Sequence, residues 1–172
     1  MRWQMTEISV HGKQPVFRVG HGYDVHRFGA GDHIIMAGIR IPFDHGFIAH
    51  SDGDVLIHSL CDALLGSIAA GDIGQHFPDT DQQYENIDSA VLLKQVNDML
   101  SQSDACISNI DITIVAQKPK MAPHITAMRS SLADILKVDI GLINIKATTT
   151  EGLGFQGRSE GIAVHSVALV YT

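Results

Sequence analysis

Apolar residues recur at intervals of three and four positions along residues 51–71 of the chain. This spacing places them on one side of an α-helix, whose period is 3.6 residues. Ser51 or Asp52 can cap the start of the helix, and Gly71 is well placed to end it. The repeating apolar positions are Val55, Leu56, Leu60, Ala63, Leu64 and Ile68.

Other segments show helical spacing or the alternation typical of strands. Helices are predicted over residues 89–101 and from Pro123 to about Leu136, since proline suits a first helical turn. Strands are predicted at residues 17–19, 33–43 (with a turn at Gly38 and a stop at Pro42), 107–117, 142–148 and 161–171. This order predicts an α/β fold (an α+β sandwich) in which helices cover one face of one mixed β-sheet.

Length and composition restrict the class of protein. The 172 residues suit one domain, and 45% hydrophobic with 18% charged residues is ordinary globular composition. A net charge of -7 argues against nucleic acid as a partner. No apolar run approaches the roughly 18 residues of a membrane span, so no membrane partner is expected.

The cysteines and the first residues of the chain indicate its location and its domain limits. Cys61 and Cys106 form no CxxC pair and are too few for a disulfide framework, so a reducing cytoplasm is the expected location. Residues 1–16 show no sustained period and include Pro15. We interpret them as an N-terminal extension, partly disordered or foreign to the native protein, and residues 17–172 as a single catalytic domain.

Candidate metal ligands occur in two segments. In "GHGYDVH" (residues 20–26), Asp24 and His26 are two residues apart and share one face of a strand. On the long helix, Asp54, His58 and Asp62 form one stripe, so Asp54 or Asp62 could hold the second ring nitrogen of His58. Two imidazoles and one carboxylate with an open fourth position are typical of catalytic zinc. Spacing alone equally allows solvated polar residues, or a capping Asp beside a packed His.

Three further segments suit a phosphate ligand. "AHSDGD" (residues 49–54) sets His50 and Ser51 before a helix N-terminus, where free amides attract anions. "KATTTEGLGFQGR" (residues 146–158) places hydroxyls and Arg158 around a glycine-rich turn, with Glu151 available to a divalent cation. "AQKPKMA" (residues 116–122) carries two lysines. Taken singly, the first segment is at least as well explained as a helix cap, and the other two are better explained as a polar turn and an exposed basic loop.

As a set, these segments and "GDIGQHFPDTD" (residues 71–81) resemble the 2-C-methyl-D-erythritol 2,4-cyclodiphosphate synthase family of the non-mevalonate isoprenoid pathway. The resemblance spans residues 16–172. It implies a homotrimer around a β-lined core, with active sites between neighbouring subunits. The implied reaction converts 4-diphosphocytidyl-2-C-methyl-D-erythritol 2-phosphate to the cyclic diphosphate and CMP. The 2-phosphate attacks the β-phosphate within the same molecule.

The resemblance also implies roles for individual residues. Asp24, His26 and His58 would bind Zn²⁺, and Glu151 would contact Mg²⁺ or Mn²⁺ together with the substrate phosphates. His50 and Thr149 would be catalytic, stabilising the transition state. Asp24, His26 and His50 would also contact substrate. The methylerythritol phosphate pocket would comprise Ser51, Asp72, Ile73, Gly74, Phe77, Pro78, Asp79, Thr80 and Asp81.

The cytidine diphosphate end of the substrate would occupy the two later segments. The residues implied are Ala116, Gln117, Lys118, Pro119, Lys120, Met121, Ala122, Thr148, Thr149, Thr150, Glu151, Phe155 and Arg158. Because a phosphate monoester is largely dianionic at neutral pH, such a nucleophile requires no general base. It requires charge neutralisation and in-line alignment of two anions.

His165, Gly20 and Gly22 need separate interpretation. His165 stands where family members often carry glutamate, beside a central cavity that in some members holds an isoprenoid diphosphate. Three symmetry-related histidines there could form a pH-sensitive anion site or a packed polar ring, and we favour the ring. Gly20 and Gly22 are interpreted as room for the backbone to approach substrate.

A zinc phosphohydrolase and a non-catalytic trimer binding isoprenoid phosphates are the competing hypotheses.

Overall fold

The computed structural model describes residues 14–49, 51–78 and 87–172. In chain order the elements are β1 (Phe17–Gly29), β2 (His33–Met36), β3 (Ile39–Pro42), β4 (Gly46–Phe47), α1 (Val55–Ser67), α2 (Ile73–His76), α3 (Ser89–Gln102), β5 (Cys106–Val115), α4 (Ile125–Leu136), β6 (Ile143–Thr148), α5 (Gly154–Gly157) and β7 (Gly161–Tyr171). Short 3-10 turns at Ala122–His124 and Ile140–Leu142 precede α4 and β6. The predicted α/β class is confirmed.

Five strands form one mixed sheet in the order β4-β1-β7-β5-β6. The β5–β6 pair is parallel, and the other pairs are antiparallel. The predicted hairpin over residues 33–43 forms, but β2 and β3 make a separate two-stranded sheet. The first strand is also longer than residues 17–19, because β1 pairs with β7 from Phe17 to Arg27. Asp24 and His26 therefore lie within a strand.

The helices cover one face of the five-stranded sheet, and the core lies between them. Alternate residues of the central strands are buried there, including Ile110, Ile112, Ile114, Val164 and Ala168. The opposite face is largely uncovered within the single chain. Among the described residues, no helix combines the length and apolar character needed to cross a membrane.

The start of α1 differs from the prediction. Its N-cap is Asp54, whose side chain accepts a hydrogen bond from the amide of Ile57 at 3.0 Å. The same carboxylate accepts from the amides of Ala37 and Gly38, at 2.9 and 2.6 Å, in the β2–β3 turn. Asp54 is fully buried, and burial raises its pKa even though these three amides lower it. The helix ends at Ser67, four residues before Gly71.

Two glycines of β1 let α1 lie directly on the sheet. A Cβ atom on Gly20 would stand 1.8 Å from the carbonyl oxygen of Ala63, and one on Gly22 would stand 1.9 Å from that of Ser59. Any larger residue would push the helix away. The interpretation of these glycines as room for substrate was wrong, because helix backbone occupies that space.

Candidate metal and substrate site

Asp24, His26 and His58 come together where β1 faces the first turn of α1. Asp24 Oδ2 lies 3.1 Å from His26 Nε2 and 3.3 Å from His58 Nδ1. One ligand atom from each of the three residues lies within 4.8 Å of the other two. The side chains are 27%, 13% and 16% exposed, respectively, so the cluster is largely buried but still reaches solvent. The predicted convergence of these residues is confirmed.

The donor set fits a divalent cation. Asp24 Oδ2 is buried and makes no hydrogen bond of good geometry with any described residue, although two imidazoles stand close to it. Burial raises the pKa of Asp24, but its contacts with His26 and His58 outweigh burial and hold the pKa well below its usual range. The carboxylate is therefore ionised. A cation between these atoms would satisfy the buried oxygen and both imidazoles.

Hydrogen bonds at Nδ1 of His26 and at Oδ1 of Asp24 orient these two side chains. The Nδ1–H of His26 donates to the carbonyl oxygen of Gly53 at 2.9 Å, which leaves Nε2 as the free ligand atom. Asp24 Oδ1 accepts from the amide of Val25 at 2.8 Å, which turns Oδ2 toward the imidazoles. Gly53 was not among the predicted residues, because a backbone acceptor has no sequence signature.

The second ring nitrogen of His58 has a different partner from the one expected. Its Nε2 lies 3.0 Å from Ser89 Oγ and 3.4 Å from Ser51 Oγ. Asp54 is engaged at the helix cap, and Asp62 Oδ1 accepts from the amide of Ile73 at 2.8 Å. The prediction that either aspartate holds His58 was wrong. Helical spacing put the three on one stripe, but their carboxylates are taken by backbone amides.

The segment around α2 packs beside the metal cluster through Asp62. Asp72 caps α2 by accepting from the amide of Gln75 at 2.9 Å, so Ile73 and Gly74 begin this short helix. Burial raises the pKa of Asp62, and the neighbouring charges of Asp72 and Asp24 raise it further. Phe77 is buried directly after α2, and Pro78 follows it exposed. The predicted His50, Asp79, Thr80 and Asp81 lie outside the described residues.

The two later segments meet at one edge of the sheet because β5 and β6 are parallel neighbours. Val115 is level with Thr148, and the amide of Ala116 donates to the carbonyl oxygen of Thr148 at 3.0 Å. Asp24 and Ile114 are both level with Val164 of β7, so this is also the level of the metal cluster. With strands about 4.8 Å apart, β5 and β6 lie about 10 and 15 Å from β1.

Side chains beyond β6 form their own contacts. Thr149 Oγ1 donates to Glu151 Oε1 at 2.9 Å, and Thr150 Oγ1 donates to the carbonyl oxygen of Leu153 at 2.5 Å. Arg158 pairs with Glu160 at 2.7 Å and is exposed, so its guanidinium remains open to solvent. Within one chain, Glu151 and Arg158 thus each contact a neighbour in their own segment, Thr149 and Glu160 respectively.

The remaining predicted residues, apart from Phe155, lie in the loop between β5 and α4. Met121 is buried, whereas Lys118 and Lys120 are exposed on either side of the half-buried Pro119. Gln117 Oε1 is buried and has no hydrogen-bond partner among the described residues. Ala122 begins the 3-10 turn, and Phe155 is half-buried in α5.

Comparison with known proteins places this geometry in a family. The YgbB family model matches residues 17–171. The chain belongs to this family. Members of the YgbB family from Thioalkalivibrio sulfidiphilus and Methylococcus capsulatus are called 2-C-methyl-D-erythritol 2,4-cyclodiphosphate synthase. They are 61% and 57% identical to this chain over 153 and 155 residues, covering 89% and 90% of it and 96% and 98% of the relatives.

Solved structures of the family share the fold. A 2C-methyl-D-erythritol-2,4-cyclodiphosphate synthase in a form bound to CDP superposes with a TM-score of 0.82 at 33% identity, covering 89% of this chain and 99% of that one. The bifunctional IspDF of Campylobacter jejuni gives a TM-score of 0.88 at 46% identity. That match covers 92% of this chain and 43% of the bifunctional protein.

Proposed function

We propose that the cluster of Asp24, His26 and His58 is the centre of a cyclodiphosphate synthase site. The chain converts 4-diphosphocytidyl-2-C-methyl-D-erythritol 2-phosphate to 2-C-methyl-D-erythritol 2,4-cyclodiphosphate and CMP, a step in isoprenoid precursor biosynthesis. The observation that carries this proposal is the convergence of three ligand atoms within 4.8 Å in a chain of the YgbB family. The reaction class is that of a phosphorus–oxygen lyase.

Asp24, His26 and His58 would hold Zn²⁺, since two imidazoles and a carboxylate suit that ion and leave a position for substrate. Bound there, the ion supplies positive charge that polarises the diphosphate and neutralises the approaching phosphate. Glu151 would hold Mg²⁺ or Mn²⁺ together with phosphate oxygens, because both ions prefer carboxylate and phosphate ligands. The Thr149 hydroxyl already orients one oxygen of Glu151.

The chain's own residues position the two reacting phosphates. The 2-phosphate is already anionic, so its attack on the β-phosphorus requires alignment rather than proton removal. Thr149 and His50 would stabilise charge that develops during the attack. Ser51, in the turn before α1, would direct its hydroxyl hydrogen to a phosphate oxygen. The bond between the β-phosphorus and the oxygen that bridges it to the α-phosphorus would break, and CMP would leave with that oxygen.

Two groups of segments would divide the substrate between them. Ser51 and the segments 72–74 and 77–81 flank the metal ligands and would hold the methylerythritol phosphate. Residues 116–122 and 148–151, with Phe155 and Arg158, would hold the cytidine diphosphate. The CDP complexes of related synthases support nucleotide binding in this fold.

A homotrimer with active sites between subunits is consistent with the uncovered sheet face. Val19, Tyr23 and Val167 are 66%, 46% and 38% exposed there, which is unusual for a monomer. Packing three such faces around an axis would bury these side chains in a β-lined core. His165 would face that axis, with its Nδ1 3.3 Å from His21 Nε2 and its ring tilted against that of Tyr23, which favours a packed polar ring over a dedicated anion site. An isoprenoid diphosphate remains the ligand to test in this cavity.

A cytoplasmic location fits the two cysteines, neither of which is in a disulfide. The function is tested by incubating the purified protein with the cytidine-diphospho substrate, Zn²⁺ and Mg²⁺ in heavy-oxygen water. Phosphorus NMR is expected to show a cyclic diphosphate and CMP, with no solvent oxygen in the sugar product. Heavy oxygen in that product would instead establish a phosphohydrolase and overturn the proposal.

A further inference from the structure

Ser89 contacts the metal cluster from a distant part of the chain. It is the first residue of α3, is fully buried, and places its Oγ 3.0 Å from His58 Nε2. His58 lies 31 positions earlier, so no local spacing links the two residues. The nitrogen contacted is the one that faces away from Asp24, because His58 Nδ1 is the atom near that carboxylate.

Asp52 determines the direction of this hydrogen bond. The Ser89 hydroxyl donates to Asp52 Oδ1 at 2.5 Å, and the Ser89 amide donates to Asp52 Oδ2 at 3.0 Å. Both hydrogens of Ser89 are thereby engaged with one carboxylate, which can only accept. Ser89 Oγ can therefore only accept from His58. This contact favours the neutral imidazole with its proton on Nε2, against the ionised Asp24 carboxylate 3.3 Å from Nδ1, and so leaves the lone pair of Nδ1 for a metal ion.

Ser51 is the weaker of the two hydroxyl contacts to His58. Its Oγ is 3.4 Å from Nε2 and already accepts a hydrogen bond from the amide of Gly53 at 3.2 Å. With Ser89 as the main acceptor, the hydroxyl hydrogen of Ser51 stays available to a substrate oxygen. The two serines next to His58 thus have different tasks.

We propose that Ser89, held by Asp52, is a positioning residue for the metal site. The pair selects the His58 tautomer that presents Nδ1 toward Asp24 and His26, and it fixes the plane of the ring. It also couples the start of α3 to the turn before α1, since Asp52 lies in that turn. This inference rests on the proposed metal site, but it assigns a role that the sequence and the family comparison do not.

The test measures metal affinity and the protonation of His58 rather than turnover. For Ser89→Ala, competition titration with Zn²⁺ is expected to show about 10- to 100-fold weaker binding, the usual effect of removing a partner of a ligating histidine. Nitrogen NMR of the zinc-free protein near pH 8 is expected to show His58 as the Nε2–H tautomer in the parent. The variant should show a mixture of tautomers.

Two further variants separate positioning from stability. Asp52→Ala keeps the Ser89 hydroxyl but frees its hydrogen to point at His58, so a weaker loss of affinity with the same tautomer change is expected. Ser101→Ala removes a hydroxyl near the other end of α3, where it donates to the carbonyl oxygen of Asn97, and should leave both readouts unchanged. Zinc affinity within twofold of the parent in Ser89→Ala, or an unchanged tautomer there, would overturn the proposal.

The zinc affinity and the His58 tautomer can be measured whether or not the chain carries out the synthase reaction. If the parent binds zinc through His58 but forms no cyclic diphosphate, the proposed function fails while the role of Ser89 stands. A parent in which zinc binding does not involve His58 would overturn the role of Ser89.

Discussion

Gly22 lies against the carbonyl oxygen of Ser59, and this contact sets the separation of β1 from α1. A Cβ atom on Gly22 would stand 1.9 Å from that oxygen, and Ser59 Oγ donates to the carbonyl oxygen of Gly22 at 3.2 Å. Asp24 follows Gly22 by two residues, and His58 directly precedes Ser59. The close approach of the two backbones therefore also brings two metal ligands from separate elements within 3.3 Å.

Replacing this glycine should disturb both folding and metal binding. Gly22→Ala is expected to lower the free energy of unfolding by about 2 kcal/mol or more, because the new methyl group overlaps helix backbone that cannot rotate away. Displacement of α1 should also weaken zinc binding. Gly66→Ala is the control: it lies within α1, and its Cβ would meet only the Cα of Gly20 at 3.8 Å. Urea unfolding should show it unchanged or stabilised by up to about 1 kcal/mol.

Loss of a metal ligand should empty the site without unfolding the protein. For Asp24→Asn and for His58→Ala, metal analysis of the purified variants is expected to show zinc well below one ion per chain. Asp24→Asn replaces the anionic oxygen of the three-residue set by a weaker neutral one, and His58→Ala removes a donor. His45→Ala, an exposed histidine beside Asp44, serves as the control and should retain the zinc content of the parent. Full occupancy in either ligand variant would remove that residue from the site.

Thr149→Ala should slow turnover while leaving zinc in place. The hydroxyl orients Glu151 at 2.9 Å and lies in the loop assigned to the diphosphate, remote from the zinc ligands. We expect kcat to fall at least about tenfold, as for other single donors that stabilise charge in a transition state. Thr126→Ala, at an exposed position of α4, should turn over like the parent. Equal rates for the two variants would exclude Thr149 from catalysis.

Asp54→Asn should destabilise the fold. The carboxylate accepts hydrogen bonds from three backbone amides, those of Ala37, Gly38 and Ile57, in a fully buried position. An asparagine amide would turn a donor toward at least one of these amides and leave it unsatisfied. The expected loss is about 1–3 kcal/mol in the free energy of unfolding, measured with urea. A variant as stable as the parent would show that the β2–β3 turn and the start of α1 do not need a carboxylate as their hydrogen-bond acceptor.

A charge on the uncovered sheet face should disrupt the proposed trimer. Val167→Asp places a carboxylate where three faces would pack, so light scattering is expected to show a fall from the mass of three chains to that of one. Val91→Asp is a matched control on α3, since Val91 and Val167 are 39% and 38% exposed. A parent that is monomeric, or a Val167→Asp variant that stays trimeric, would contradict the proposed arrangement.

Local pattern was sufficient for most elements and for naming the three residues of the candidate metal cluster. Alternation along β1 put Asp24 and His26 on one face, and the apolar repeat of residues 55–68 predicted α1 with His58 in its first turn. Prediction was less accurate for β1 itself. Gly20 and Gly22 weaken its strand propensity, and only pairing with β7 to Arg27 and with β4 at its end extends it to Gly29.

Contacts between distant residues were decided by the tertiary structure. Asp54 and Asp62 stand at the right helical spacing for His58, yet backbone amides of other segments take their carboxylates. Ser89 reaches His58 only because α3 begins beside the turn that contains Asp52. The sequence by itself thus determined which groups can bind a metal, since periodicity acts over a few residues. Which residues orient those groups depended on packing between elements. A hydrogen bond requires its two partners to be close in space, and a local repeat does not encode that proximity for residues far apart in the chain.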